Sequence, residues 1–268
     1  MTRDSSMTLL SKYRIPALGA LAIAALLSAA AQVPPVGGTT KTPPAGAAAK
    51  VPAAGAAAKV HPVSTAAPVP PVVLTKPITP EKLTGADGFI QRWLLLEPIG
   101  ANGLTDAIVQ ATVKKEYFPG QFTAIPHDGD KVAVDGGDLT WHAVDTKDYN
   151  INLYRFSESH GKKTSDVLFW AVTTVTSPKE MSGVRLAIGS NAASVWWVNG
   201  QEVIGIYGDR QTVIDDGVSK RLTLKKGPNV VRAAIVNGGG ATDFCARFLD
   251  ADDQPVKGLS VSVGEVRK

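Results

Sequence analysis

The chain has 268 residues, a formal net charge of +4 and a single cysteine, Cys245. One cysteine excludes an internal disulfide framework, so any folded domain here must rest on an apolar core, with Cys245 as a small buried hydrophobe. The positive charge belongs to the N-terminal third. From Glu81 onward there are 21 basic and 23 acidic residues, so the charge balance gives no support for a nucleic-acid partner.

Residues 1–31 place Arg3, Lys12 and Arg14 ahead of a run of small apolar residues ending at Ala29-Ala30-Ala31. That is the pattern of a secretory signal peptide with its cleavage site. The apolar run, about 17 residues, is at the short end for a bilayer span, so an uncleaved leader is the one route to a membrane anchor. No cysteine follows the run to carry a lipid. The chain is therefore expected to be exported to a periplasm, a cell surface or the medium.

Residues 32–86 are predicted to be a linker. Up to residue 80 they are mostly Pro, Ala, Val, Gly, Thr and Lys, with no aromatic and no acidic residue. The string PAGAAAKV at 44–51 returns with one added alanine as PAAGAAAKV at 52–60. Such a stretch cannot bury a core, and its prolines favour extended conformers.

The domain is assigned to residues 87–264. Phe89–Leu96 reads as a strand closed by Glu97-Pro98, because proline cannot donate to a ladder. Thr105 is placed to cap a short helix running to about Tyr117, with Asp106 in its first turn. Residues 127–138 read as loop, ending at Trp141. Beyond it the apolar period is two, with short strands at Tyr149–Phe156, Val167–Thr176, Val184–Ile188, Ser194–Val198, Glu202–Tyr207, Lys220–Leu224, Asn229–Val236, Asp243–Leu249 and Leu259–Val263. Their organising stretch is Val195–Ile204, where Asn199-Gly200 separates two apolar runs in the manner of a type I′ hairpin. Alternation puts Val195 and Trp197 on one face and Trp196 and Val198 on the other. The expected fold is all-β, a jelly-roll-like β-sandwich with one short helix.

Three segments carry a resemblance: WLLLEPI at 93–99, SVWWVNGQEV at 194–203 and LKKGPNVV at 224–231. Together they resemble the galactose-binding-like β-sandwich modules appended to bacterial glycoside hydrolases and acetylxylan esterases. Glu97 and Ile99 stand where that family usually has Gly and Phe. The resemblance implies turn-forming roles for Asn199, Gly200, Gly227 and Asn229. It also implies Trp197 inside the sandwich and a non-catalytic accessory role in polysaccharide processing, since no catalytic domain follows in this sequence.

A sugar site wants an aromatic plate with a few fixed donors and acceptors. Trp196, taken as the outward-facing indole, with Tyr207, Asp209 and Arg210 forms the expected ligand-binding set, for a polysaccharide or oligosaccharide. The alternative is an acetylxylan esterase, with Ser190, His142 and Asp145 as candidate nucleophile, base and orienting acid. No serine sits in a G-x-S-x-G elbow, and no catalytic residue is assigned. Glu97 is the carboxylate to watch, since it directly follows an apolar run. Asp128, Asp130, Asp135 and Asp138 hint at a cation, but the spacing fails the EF-hand pattern; no metal and no cofactor is assigned. The glycines after Asn237 read as a hairpin loop without a phosphate-binding pattern. A third reading is a structural envelope module with a protein partner.

Overall fold

The computed structural model describes residues 73–101 and 105–264. The predicted signal peptide, both repeats and the linker as far as residue 72 lie outside the described residues.

In chain order the elements are β1 (Glu81–Leu83), β2 (Arg92–Leu96), β3 (Ile99–Gly100), α1 (Asp106–Lys114), β4 (Lys131–Val134), β5 (Gly137–Asp145), β6 (Ile151–Asn152) and α2 (Leu153–Ser159). They continue with β7 (Val167–Ser177), β8 (Met181–Asn191), β9 (Ala193–Val198), β10 (Gln201–Ile206), β11 (Gly217–Val218), β12 (Leu222–Leu224), β13 (Gly227–Asn237), β14 (Asp243–Leu249) and β15 (Ser260–Ser262). All the strand pairings are antiparallel. The larger sheet runs β10-β9-β13-β7-β2-β5-β4, and the smaller runs β11-β8-β14-β6 with β12 also on β8. The spine of the larger sheet is the β7–β13 ladder, in register from Ser177↔Gly227 to Val167↔Asn237. The other edge of β7 is shared end to end by β3, β2 and β15.

The β9–β10 hairpin forms as the sequence predicts. Asn199 has φ 51° and Gly200 φ 80°, the left-handed pair a type I′ turn requires. Alternation along β9 also holds. Trp196 and Val198 belong to the core between the sheets, Val195 to a second cluster on the outer face of the larger sheet, and Trp197 packs against that cluster. The sides assigned to the two indoles are corrected. Trp196 is fully buried inside the sandwich, its Nε1 donating to Ser194 Oγ at 2.9 Å. It meets Trp93 and Phe244 edge to face, with centroids 6.1 and 5.5 Å away. Trp197 lies on the outer face, stacked on Trp170 at 5.6 Å with Phe122 edge-on to both rings.

That outer face is covered. Thr105 caps α1 by accepting from Ile108 N, and Val109, Thr112 and Val113 form its buried stripe. The segment after α1 is latched by Arg232, whose guanidinium donates to the carbonyls of Phe122 and Ala124.

Three expectations need correction. The expected loop at 127–138 holds the strand β4 and the start of β5, which form a hairpin over 131–145; Asp135-Gly136 is its turn, with Gly136 at φ 108°. Only Ile151 and Asn152 of the expected strand Tyr149–Phe156 are extended; Leu153–Ser159 is a second helix, capped by Asn152 Oδ1 accepting from Arg155 N at 2.8 Å. The end of the expected linker, residues 75–83, is built into the sandwich. Thr75 and Asp145 exchange backbone hydrogen bonds of 2.8 and 2.7 Å, and β1 pairs with β15.

Candidate functional site

A well-formed cleft is built by the two elements that were not expected from sequence. One wall is β5, which presents His142; the other is α2 with His160 at its C-terminal cap. The strap Val73–Lys76 and Asp128 close the rim around a volume of about 530 Å3. The helix exists here because Leu153 and Phe156, three residues apart, are buried on one side, which leaves Arg155, Glu158 and Ser159 facing the cleft.

The two imidazoles lie with centroids 4.1 Å apart, tilted by 47°, and Phe156 lies 5.8 Å from His142 and 4.7 Å from His160. Phe156 is itself fully buried and backs the two imidazoles, which are the rings that reach the cleft. His160 Nδ1 is 2.8 Å from the Phe156 carbonyl, so it carries the proton and donates, leaving Nε2 as the acceptor of the neutral ring. Ser159 Oγ also donates to the Phe156 carbonyl, at 2.8 Å.

Below the rings sits Glu97. It accepts from Thr140 N at 3.1 Å, pairs with Lys162 Nζ at 3.1 Å and approaches His142 Nε2 at 3.5 Å. Burial pushes its carboxyl upward, but the Thr140 amide, Lys162 and His142 outweigh burial and hold it below the usual range. His142 is held below the ordinary imidazole value, first by burial and then by His160, against the pull of Glu97 and Asp128. Asp128 accepts from Ala143 N at 2.8 Å and pairs with Lys76 at 2.7 Å; these contacts outweigh burial and keep its carboxyl low. Arg155 and Glu158 close a third ion pair at 2.5 Å. The cleft therefore offers two imidazole rings bordered by fixed donors and acceptors.

The structure does not bring the sequence-predicted sets together. Ser190 is fully buried on β8, in the smaller sheet, bonded to the Ala192 carbonyl and to Ser194 Oγ. His142 is on β5 in the larger sheet, beside Glu97. Asp145 holds Arg92 at 2.8 Å and not an imidazole. Ser190, His142 and Asp145 are thus spent on three different partners. In the expected sugar set, Trp196 is core, and Tyr207 folds back so that its hydroxyl lies over Gly205. Arg210 pairs with Asp216, and Asp209 is exposed beside it. The four do not form one surface. The carboxylate singled out from sequence, Glu97, lies behind the cleft wall, against His142. His160, Arg155 and Lys76 were missed; the signal available was the Asn152 cap with the Leu153/Phe156 spacing. Among the described residues no three or more His, Cys, Asp or Glu side chains are placed to hold a metal ion, and no helix is long and apolar enough to cross a membrane.

The sequence matches no protein-family model and no curated protein sequence. Among solved structures the chain is similar to the PA14 domain of the antifreeze protein MpAFP, at 14% identity and a TM-score of 0.37, over 64% of this chain and 91% of that one. It is similar to a PA14 sugar-binding domain from an RTX adhesin at 16% identity and a TM-score of 0.36, over 65% and 100%. It is also similar to a β-glucosidase from Kluyveromyces marxianus, in complex with glucose, at 19% identity and a TM-score of 0.31, over 47% and 16%. The sandwich architecture itself rests on the strand pairings above.

Proposed function

We propose that this chain is an exported, non-catalytic carbohydrate-binding module and that its saccharide seats in the cleft between β5 and α2. The observation that carries the reading is the pair of imidazoles, His142 and His160, backed by the buried Phe156 and bordered by the Lys76–Asp128 and Arg155–Glu158 pairs. A pyranose has C–H faces that pack on flat rings and a hydroxyl rim that needs placed donors and acceptors. The cleft volume of about 530 Å3 suits a small saccharide. The sugar-binding domain named among the similar structures agrees with the reading but does not carry it.

The test is glycan binding by the full chain and its variants. His160→Ala is expected to weaken binding by about tenfold or more, since it removes one ring and one polar atom from the wall. Tyr207→Ala is expected to leave affinity unchanged. The reverse pattern would move the site to the β9–β10 hairpin.

The Glu97–His142 contact favours one second reading, an acetyl esterase on xylan-type substrates. A carboxylate beside an imidazole that is neutral at pH 7 is the base half of an acyl-transfer site. Ser159, the hydroxyl in the cleft, gives its proton to a carbonyl, and the adjacent His160 Nδ1 is itself a donor, so this serine has no base. Acetate release from acetylated xylan, lost in His142→Gln, would establish that reading over the first.

A further inference from the structure

We infer that the cleft selects saccharides bearing a carboxylate, uronic acids, and takes up a proton with them, so that it grips them more tightly in mild acid than at neutral pH. The inference rests on the carbohydrate reading above and names its ligand class.

Charges balance over the elements that enclose the two imidazoles. The strap contributes Lys76 and the loop before β4 contributes Asp128, and these neutralise each other at 2.7 Å. The turn after β2 contributes Glu97 and the segment after α2 contributes Lys162, paired at 3.1 Å. α2 itself contributes Arg155 and Glu158, paired at 2.5 Å. Three acids and three cations cancel. Of the acids, Glu97 and Asp128 are held below the usual carboxylate range by their partners. Histidine is the side chain whose charge changes most readily near neutrality, and the cleft holds two of them side by side.

Geometry decides what that change favours. Two rings with centroids 4.1 Å apart repel each other when both are charged. This repulsion, after burial, lowers the His142 value below that of an ordinary imidazole. A ligand carboxylate seated in the cleft against the edges of the two rings offsets the repulsion and makes a proton easier to add. By linkage, a ligand that raises the affinity for protons is bound more tightly where protons are supplied. His160 Nδ1 is spent on the Phe156 carbonyl, so protonation adds a second donor at Nε2, the ring atom left to meet a ligand oxygen. A neutral sugar gains no ion pair from either proton.

The experiment is titration calorimetry on the full chain with oligogalacturonate and with neutral galacto-oligosaccharide, at about pH 5.5 and about pH 7.5. Each titration is run in two buffers of unlike ionisation heat, which counts the protons bound. The expected result is acidic-oligomer binding about tenfold tighter at the lower pH, with about one proton taken up per site, and neutral-oligomer binding the same at both. In His142→Gln, checked for an unchanged melting profile at pH 7.5, the ratio of the two acidic-oligomer affinities should fall towards one. Equal binding of acidic and neutral oligomers at both pH values overturns the inference and leaves the carbohydrate reading standing. So does acidic binding that weakens on acidification. Binding of neither oligomer under any condition overturns both.

Discussion

Three titratable side chains around the cleft, His142, Glu97 and Asp128, are all held below their ordinary values. A group whose value is lower in the folded than in the unfolded chain leaves the unfolded state binding more protons between the two values, so stability rises with pH through that window. The contribution of His142 is complete above about pH 6.5 and is lost as pH falls through its folded value; those of Glu97 and Asp128 are complete above about pH 4.5 and lost below it. The melting temperature should therefore decline in two stages on acidification. His142→Gln should flatten the first stage and leave the second, as followed by thermal melts from pH 7.5 to pH 3. A first stage that survives this substitution would place its origin elsewhere.

Cys245 is the opposite case at the same scale. Burial pushes its thiol up to about 12, and it lies within the smaller sheet on β14. A thiol-specific reagent at about pH 8 should label it only at the rate of unfolding, since the thiolate is both scarce and inaccessible. Stoichiometric labelling within mixing time would contradict its placement. This much was legible from composition alone: a lone cysteine without a partner is most simply a small core residue.

Among the elements, the β9–β10 hairpin and the segment after α1 hold the two indoles in place. Gly200 at φ 80° has no steric obstacle to a side chain but does have a backbone one, because an L-residue is strained there. Gly200→Ala should cost about 1 kcal/mol in denaturant unfolding while the sandwich is kept. Arg232 is more consequential. Its guanidinium is nearly fully buried, and burial lowers its value to about 10. Removing it by Arg232→Met strands the carbonyls of Phe122 and Ala124 and should destabilise by about 1–3 kcal/mol. The near-ultraviolet circular dichroism of the Trp170–Trp197 stack should change with it. No change in either signal would mean that the segment is held by its apolar contacts alone.

The sequence disclosed these elements unevenly, for physical reasons. Strands with period two and turns with demanded backbone angles were readable, and so was the Thr105 cap. Which face of β9 turned inward was not, because alternation fixes that Trp196 and Trp197 oppose each other but not which sheet face the rest of the chain covers. The α2 helix was hidden by the extended pair Ile151-Asn152 directly before it, although Asn152 is its cap. The β4–β5 hairpin was hidden by the glycines and aspartates of a turn at Asp135–Asp138, read as a loop. Since the cleft is made by these two missed elements, its residues could not be assembled from sequence; Glu97 was noticed only through its place after an apolar run.

At the scale of the molecule, the larger sheet is covered on both faces. The smaller sheet packs on one side, and α1 with the segment behind it packs on the other, so neither broad face is left to recruit a ligand. The opening is at the side, where β5 nears the edge of the larger sheet and α2 comes over from β6. The strap at Thr75 crosses the same place, tying the residues before β1 to the rim of the cleft through Asp145 and Lys76. Lys76→Ala should therefore weaken saccharide binding without lowering the melting temperature by more than a degree or two, since the exposed pair it breaks contributes little to stability.

The most direct measurement of the central claim is a nuclear magnetic resonance titration of the full chain with oligogalacturonate, following the imidazole carbon-bound protons of His142 and His160 and the ring protons of Tyr207. The account predicts saturable shifts at both histidines, with Tyr207 unmoved. Saturable shifts at Tyr207 with both histidines silent would contradict it and return the site to the hairpin.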